Sequence, residues 1–315
     1  MLYVPWTNQT SITTFLLLGF GNLKEAQILL FVLFLGIYAM TLAGNLLILA
    51  LVVADWHLHT PMYFFLGNLS FLEACYTSVI APRLLAGLLG EGRTISFQDC
   101  LTQLFFFSAL ACIECFLLAV MAYDRYLAIC NPLRYNVIMN LQVCLQLVSA
   151  SWVTGFSATA LVVGMVPKLS FCGPSEVNNF FCDMEELLKL SCTKSFLVEM
   201  VVLVTCSLVT LVPFLFIVVS YILILLAILR IASSAGRRKA FSTCTSHLLV
   251  VSLYYGTIIV MYVTPTAERP PAFHKALSLM YTVITPMFNP IIYSLRNAEV
   301  KGAFRKVVLQ NIGVM

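Results

Sequence analysis

Charged positions are sparse along this chain, and between them lie seven long apolar windows, at residues 26–54, 60–82, 100–123, 135–167, 200–229, 240–267 and 276–295. Glu73 interrupts the second and Glu114 the third. A helix needs about 20 mainly apolar residues to cross a bilayer, and each window is long enough. The windows are near-continuously apolar, whereas barrel strands are shorter and alternate, so the pattern predicts helices. The expected fold is an all-α membrane protein, a bundle of seven transmembrane helices with its two termini on opposite sides.

Composition agrees with this pattern. The chain has 315 residues, 61% hydrophobic and 10% charged, a balance that a water-soluble domain would not carry on its surface. Loop charges then set the orientation. With the N-terminus outside, the inner segments hold ten basic residues against Asp55, Asp124 and Glu299, while the outer ones hold eight basic and nine acidic residues. The positive-inside rule therefore favours N-out. The net charge of +4 describes a basic inner face, and no case for nucleic acid follows from it.

Three segments follow. Residues 1–25 form an extracellular N-terminus without the features of a signal peptide, so the first span serves as its own insertion signal. Residues 26–295 form the seven-helix domain, and residues 296–315 an inner amphipathic helix and tail, in which Val300, Phe304, Val307 and Val308 lie beside Lys301, Arg305 and Lys306. Asn8-Gln9-Thr10 is a glycosylation acceptor on the outer side, whereas Asn68-Leu69-Ser70 has the same pattern inside the second span, out of reach. Of eleven cysteines, Cys172, Cys182 and Cys192 fall between the fourth and fifth windows, and Cys100 opens the third. Four cysteines on the oxidising side permit two disulfides with three connectivities.

Few residues carry candidate chemistry. Asp124-Arg125 supplies the first charges after the third window, where a helix would emerge into water. That is either a snorkelling end marker or an acid–Arg pair able to open and re-pair. Glu73 and Glu114 are the two acids within the windows, and at that depth each must face a polar interior, hold a proton or share a cation. Phe107 and Arg125 are 18 residues apart, five helical turns, which places them on one face about 27 Å from each other. Ser108, Ala111 and Cys112 share the neighbourhood of Phe107 and read either as cavity lining or as a generic buried stripe. Gly44-Asn45 in the first window reads as a helix contact with a satisfied amide. His57 and His59 have no third ligand nearby and read as interfacial imidazoles rather than a metal site. His-Glu-x-x-His and Gly-x-Ser-x-Gly elements are absent from the sequence, so no enzyme and no cofactor is expected. A transporter using Glu73 and Glu114 is the distant rival, but no second half repeats the first.

Five strings occur in order: Leu-His-Thr-Pro-Met-Tyr-Phe-Phe-Leu at 58–66, Met-Ala-Tyr-Asp-Arg-Tyr-Leu-Ala-Ile-Cys-Asn-Pro-Leu-Arg-Tyr at 121–135, Asn-Phe-Phe-Cys-Asp at 179–183, Lys-Ala-Phe-Ser-Thr-Cys-Thr-Ser-His-Leu at 239–248, and Pro-Met-Phe-Asn-Pro-Ile-Ile-Tyr-Ser-Leu-Arg-Asn at 286–297. Together they resemble the odorant (olfactory) receptor family of the rhodopsin-like (class A) G-protein-coupled receptors. The resemblance implies disulfides Cys100–Cys182 and Cys172–Cys192. It also implies a polar network of Asn45, Glu73, Glu114 and Asn289, with sodium as the ion to be held at Glu73 and Glu114. Here Glu73 stands where other rhodopsin-like receptors carry a shorter Asp. Tyr254-Tyr255-Gly256-Thr257 stands at the height of their sixth-helix kink, which makes Tyr255 the expected hinge.

By the same resemblance, Asp124, Arg125, Tyr126, Tyr221, His247, Asn289, Pro290 and Tyr293 form the switch and the G-protein coupling face. Phe107, Ser108, Ala111, Cys112, Thr205, Val209, Tyr255, Tyr262, Leu279 and Thr282 form the ligand cavity. That set is apolar with a few hydroxyls, so a small neutral odorant is expected. The implied partners are this odorant, a heterotrimeric G protein of the stimulatory, olfactory class that raises cyclic AMP, and membrane lipids. The implied location is the plasma membrane. Sensing of a metabolite in another tissue uses the same machinery and is the alternative.

Overall fold

A computed structural model describes residues 13–21, 25–171, 175–192, 195–263, 271–296 and 300–304. Its helices are α1 (Gln27–Ala54), α2 (Pro61–Leu88), α3 (Phe97–Cys130), α4 (Pro132–Ile138), α5 (Leu141–Val163), α6 (Met184–Leu190), α7 (Phe196–Leu229), α8 (Ser234–Val263), α9 (Pro271–Leu279) and α10 (Thr285–Arg296). A π-helical turn, Met280–Ile284, joins α9 to α10, and the pair acts as one span. Counted that way, seven helices are long and apolar enough to cross a membrane. The expected seven-helix membrane bundle is therefore present.

Helix ends depart from the apolar windows in three places. The second helix does not stop at Pro82 but runs on to Leu88. In the turn before the proline, the Thr77 and Ser78 hydroxyls bond to the carbonyls of Glu73 and Ala74, and polar side chains of this kind let a buried helix carry a proline. The fourth window splits in two, α4 and α5, because Asn140 ends the run and its Oδ1 accepts the Val143 N–H at 3.0 Å as an N-cap. In the seventh span the π turn was not legible, since hydropathy does not report backbone pitch.

The bundle is built around α3, which packs against α2, α5, α7 and α8. Close approach depends on small residues at two crossings. A Cβ at Gly155 of α5 would lie 2.4 Å from Ile113 Cγ1 of α3, and one at Gly44 of α1 would lie 3.0 Å from the Pro290 ring of α10. Large apolar side chains point outward as well as inward. On α7, Val209, Pro213, Ile217, Ile224 and Ile228 are buried, while Leu211, Leu215, Val219, Ile222 and Leu226 are exposed at an offset of half a turn. In water that exposed stripe would be untenable at this size, whereas lipid accommodates it.

One end of the bundle carries a cap. Three short strands, β1 (Thr14–Leu17), β2 (Thr94–Ser96) and β3 (Glu176–Val177), form a sheet in the order β2-β1-β3. Thr14, Phe15 and Leu16 face Ser96, Ile95 and Thr94 antiparallel, and Leu16 and Leu17 run parallel to Glu176 and Val177. Phe15, Leu17, Ile95, Leu104, Val177 and Leu187 make a small core beneath it. Arg83 at the end of α2 donates through Nη2 to the Thr94 carbonyl at 2.8 Å, which ties that helix to the sheet. At the opposite end, residues 300–304 are helical, with Val300 and Ala303 buried and Phe304 exposed. Val307, Val308, Arg305 and Lys306 lie outside the described residues.

Candidate functional site

Four groups of residues along α3 carry candidate function, beginning at the capped end. Cys100 of α3 is disulfide-bonded to Cys182, with Cα atoms 5.4 Å apart. The Cys182 N–H donates to Gln103 Oε1 at 3.1 Å, and Gln103 Nε2 donates to the Val79 carbonyl at 3.2 Å, so loop, α3 and α2 are locked together. Cys192 is also disulfide-bonded. Its expected partner Cys172 lies outside the described residues, as do Asn8 and its acceptor triplet.

One turn further in, Phe107 is buried among aromatic rings: Phe181 of the loop at 4.8 Å, Tyr76 of α2 at 5.3 Å and Tyr281 of the π turn at 6.0 Å. Of the other cavity candidates, Ala111 accepts the Tyr254 hydroxyl at 2.8 Å through its carbonyl, and Cys112 accepts the Thr159 hydroxyl at 3.8 Å. Tyr255 is buried, packs its ring tilted against Phe214 at 5.0 Å and donates to the Cys115 carbonyl at 3.4 Å. Val209 is buried, while Ser108, Thr205 and Leu279 are half-buried. Thr282 faces elsewhere. It lines a crevice between α1 and α2 with Phe34, Tyr38, Thr41, Thr77 and Val283. The side chain of Tyr262 lies outside the described residues. The aromatic cage of Tyr76, Phe181 and Tyr281 around Phe107 was missed in the sequence, because its members come from three distant segments.

At mid-depth Glu73 and Glu114 are fully buried with their carboxyl groups close enough to interact. Asn289 of α10 donates through Nδ2 to Glu73 Oε1. Asn45 is buried on α1 but gives its amide N–H to the Thr41 carbonyl of its own helix at 3.0 Å, so the side chain bonded to Glu73 is that of Asn289. Glu73 Oε2, Glu114 Oε1 and Asn289 Oδ1 are buried acceptors that find no donor among the described residues. Two carboxyl groups in contact away from water need a shared proton or a cation between them, and three orphaned oxygens fit a sodium ion as well as a proton.

At the end opposite the cap, Asp124 and Arg125 do not emerge into water. Both are buried, because α3 continues to Cys130 and α4 folds over the site. Nor do they form an ion pair with each other: Asp124 Oδ1 instead accepts the Tyr135 hydroxyl at 2.7 Å, and no ion pair among the described residues joins it to Arg125. Burial and the neighbouring Asp124 charge push the Tyr135 phenol well above its ordinary range, so it stays a donor. Tyr126 stacks on Tyr123 at 6.5 Å. Tyr221 of α7 and His247 of α8 are linked by a 2.6 Å hydrogen bond and parallel rings at 5.7 Å. Pro290 packs on Gly44, and Tyr293 is buried with its hydroxyl meeting no partner among the described residues. The structure thus brings Arg125, Tyr221, His247 and Tyr293 into one electrostatic neighbourhood drawn from α3, α7, α8 and α10. Leu133 of α4, part of the family string at 121–135 but not among the expected switch residues, stands 97% exposed.

Comparison with known proteins supplies the rest. A family model described as "Olfactory receptor" matches residues 34–311. The human olfactory receptor 11L1 is 50% identical over 98% of this chain and 96% of its own length. The human olfactory receptor 10A7 is 50% identical over 97% and 96%, and the mouse olfactory receptor 5AP2 is 48% identical over 96% and 95%.

Proposed function

This chain belongs to the olfactory receptor family, and on that premise we propose that it binds a small neutral odorant at its capped end and activates a stimulatory, olfactory-type G protein that raises cyclic AMP. As a member of that family it is a multi-pass G-protein-coupled receptor and not an enzyme. The capped end faces the outside of the plasma membrane and the Asp124–Arg125 end faces the cytoplasm, in keeping with the loop charges and with the disulfide in the cap.

The observation that carries the reading is that one rigid helix joins two specialised ends. α3 places Phe107 in the aromatic cage and Arg125 in the buried cluster with His247 and Tyr221. A ligand that re-packs the cage favours one of two bundle packings, and the packing that withdraws α8 from α3 opens the Tyr221–His247 contact and uncovers Arg125. Of the expected cavity residues, Phe107, Ser108, Ala111, Cys112, Thr205, Val209, Tyr255 and Leu279 offer rings, one thiol and hydroxyls but no charge, which fits a volatile ligand with one hydrogen-bonding oxygen. Leu133 gives the G protein an apolar contact, and Arg237 to Lys239 give it charge. Glu73, Glu114 and Asn289 supply a buried polar hinge between α2, α3 and α10, with sodium or a shared proton holding the resting packing.

The test is cyclic AMP output from cells carrying the intact chain or Arg125→Ala at matched surface level, across neutral, acidic and basic odorants. The expected result is a response to neutral alcohols, ketones or esters that the variant loses. A response confined to amines or carboxylic acids, or one of equal size in the variant, overturns the reading.

A further inference from the structure

Outside the sites described so far, the cap brings together three metal-ligating side chains. Asp183 and Glu185 lie in the loop just after Cys182, and His274 lies on α9, 91 residues from Asp183. Their ligating atoms all fall within 4.8 Å of one another. His274 Nε2 is 3.2 Å from Glu185 Oε2 and 3.9 Å from Asp183 Oδ2. We propose that Asp183, Glu185 and His274 form a binding site for a zinc-class divalent cation that clamps the loop to the top of the seventh span.

Three lines of physical argument support the assignment. Zinc holds nitrogen and oxygen donors at about 2.0–2.1 Å in a tetrahedron, which sets neighbouring donors about 3.3 Å apart. The His274–Glu185 separation of 3.2 Å lies close to that edge and the His274–Asp183 separation of 3.9 Å exceeds it by little over half an ångström, a gap that a small side-chain shift closes. The charge also balances. Lys189 Nζ pairs with the other Glu185 oxygen, Oε1, at 2.9 Å and with Glu186 Oε1 at 2.8 Å, which leaves Glu185 Oε2 and Asp183 Oδ2 turned toward the imidazole as two anionic donors for one dication. The frame, finally, is rigid on both sides. The loop is fixed to α3 by the Cys100–Cys182 disulfide and the Cys182–Gln103 hydrogen bond, and His274 is only 7% exposed. Three protein ligands leave a fourth position open to water or to a donor atom of an entering molecule. Calcium or magnesium, which demand six or more oxygens, would be poorly served.

Electrostatics at the cluster describe the same convergence. Burial lifts the Asp183 carboxyl to about 6 against the opposing pull of His274, while the hydrogen bond from His274, aided by Lys189, holds Glu185 down at about 2.

The site does not depend on the ligand or coupling reading, so its test needs neither. The intact receptor, purified in lipid nanodiscs, is titrated with zinc chloride while its thermal unfolding midpoint is followed, and EDTA is then added. A cation that binds only the folded chain raises the midpoint by mass action. The expected result is a saturable rise reversed by EDTA, absent with calcium or magnesium, and at least about tenfold weaker in half-saturation for Glu185→Gln, as loss of a direct ligand should exceed the effect of an outer-shell change. His274→Ala should remove the rise altogether. Because that variant also loses an ion pair, the shape-conserving Asp183→Asn serves as a second check on the same readout. The double variant His57→Ala/His59→Ala, at the opposite end, should keep the rise. No zinc response in the intact chain, an equal response in Glu185→Gln and Asp183→Asn, or a loss confined to the His57/His59 variant overturns the proposal.

Discussion

Replacing Tyr135 by Phe tests the proposed switch with the removal of one oxygen. In the structure the Tyr135 hydroxyl donates to Asp124 Oδ1 at 2.7 Å, and Asp124 is buried. Hydrogen bonds to charged groups contribute about 1.5–3 kcal/mol, and the half-buried phenol argues for the lower figure. If this contact is made in the resting packing and lost in the active one, its removal shifts the balance between them by about 1.5 kcal/mol, close to a factor of ten. A receptor active about 1% of the time without ligand would become active about 10% of the time. Ligand-free cyclic AMP in Tyr135→Phe, at surface level matched to the parent, should therefore rise several-fold, with a smaller further increase on stimulation. An unchanged basal signal with normal surface expression would show that the Asp124–Tyr135 bond is equally present in both packings, and would refute its role as a resting-state lock.

Gly155→Ala places a methyl 2.4 Å from Ile113 Cγ1 and 3.1 Å from the Ala109 carbonyl oxygen, so overpacking should cost about 1–3 kcal/mol and lower the unfolding midpoint of the purified receptor. Cys182→Ser opens a loop closed across 82 residues and should cost about 4 kcal/mol, read as loss of surface expression or of thermal stability in the purified receptor. Leu133→Ser, at a 97% exposed position, should leave stability within about 0.5 kcal/mol of the parent while reducing ligand-stimulated cyclic AMP, and an undiminished response would exclude Leu133 from the G-protein contact.

Much of this protein was legible before its structure. Seven spans could be counted because the bilayer fixes a minimum apolar length, and charges at mid-depth are costly enough that Glu73 and Glu114 stood out against their windows. Family strings such as residues 121–135 were visible because they carry particular side chains in order, independent of their packing. Helix ends were less legible. Pro82 closed the second window and Asn140 looked like an ordinary position in the fourth, and whether the chain continued or stopped depended on local side-chain hydrogen bonds, from the Thr77 and Ser78 hydroxyls in one case and from the Val143 N–H to Asn140 in the other.

The sequence by itself determined the number of spans, their order, the sign of the two faces and the identity of the buried acids, since each follows from composition within a single segment. Only the tertiary structure decided which side of each uniformly apolar helix turns inward, because lipid accepts Leu215 as readily as the core accepts Ile217 and hydropathy is blind to the difference. It alone brought Phe107 to Tyr76, Phe181 and Tyr281, Asp124 to Tyr135, and His274 to Asp183 and Glu185. Those meetings join segments far apart along the chain, and the packing angles that create them are set by small residues such as Gly44 and Gly155 together with all their neighbours at once.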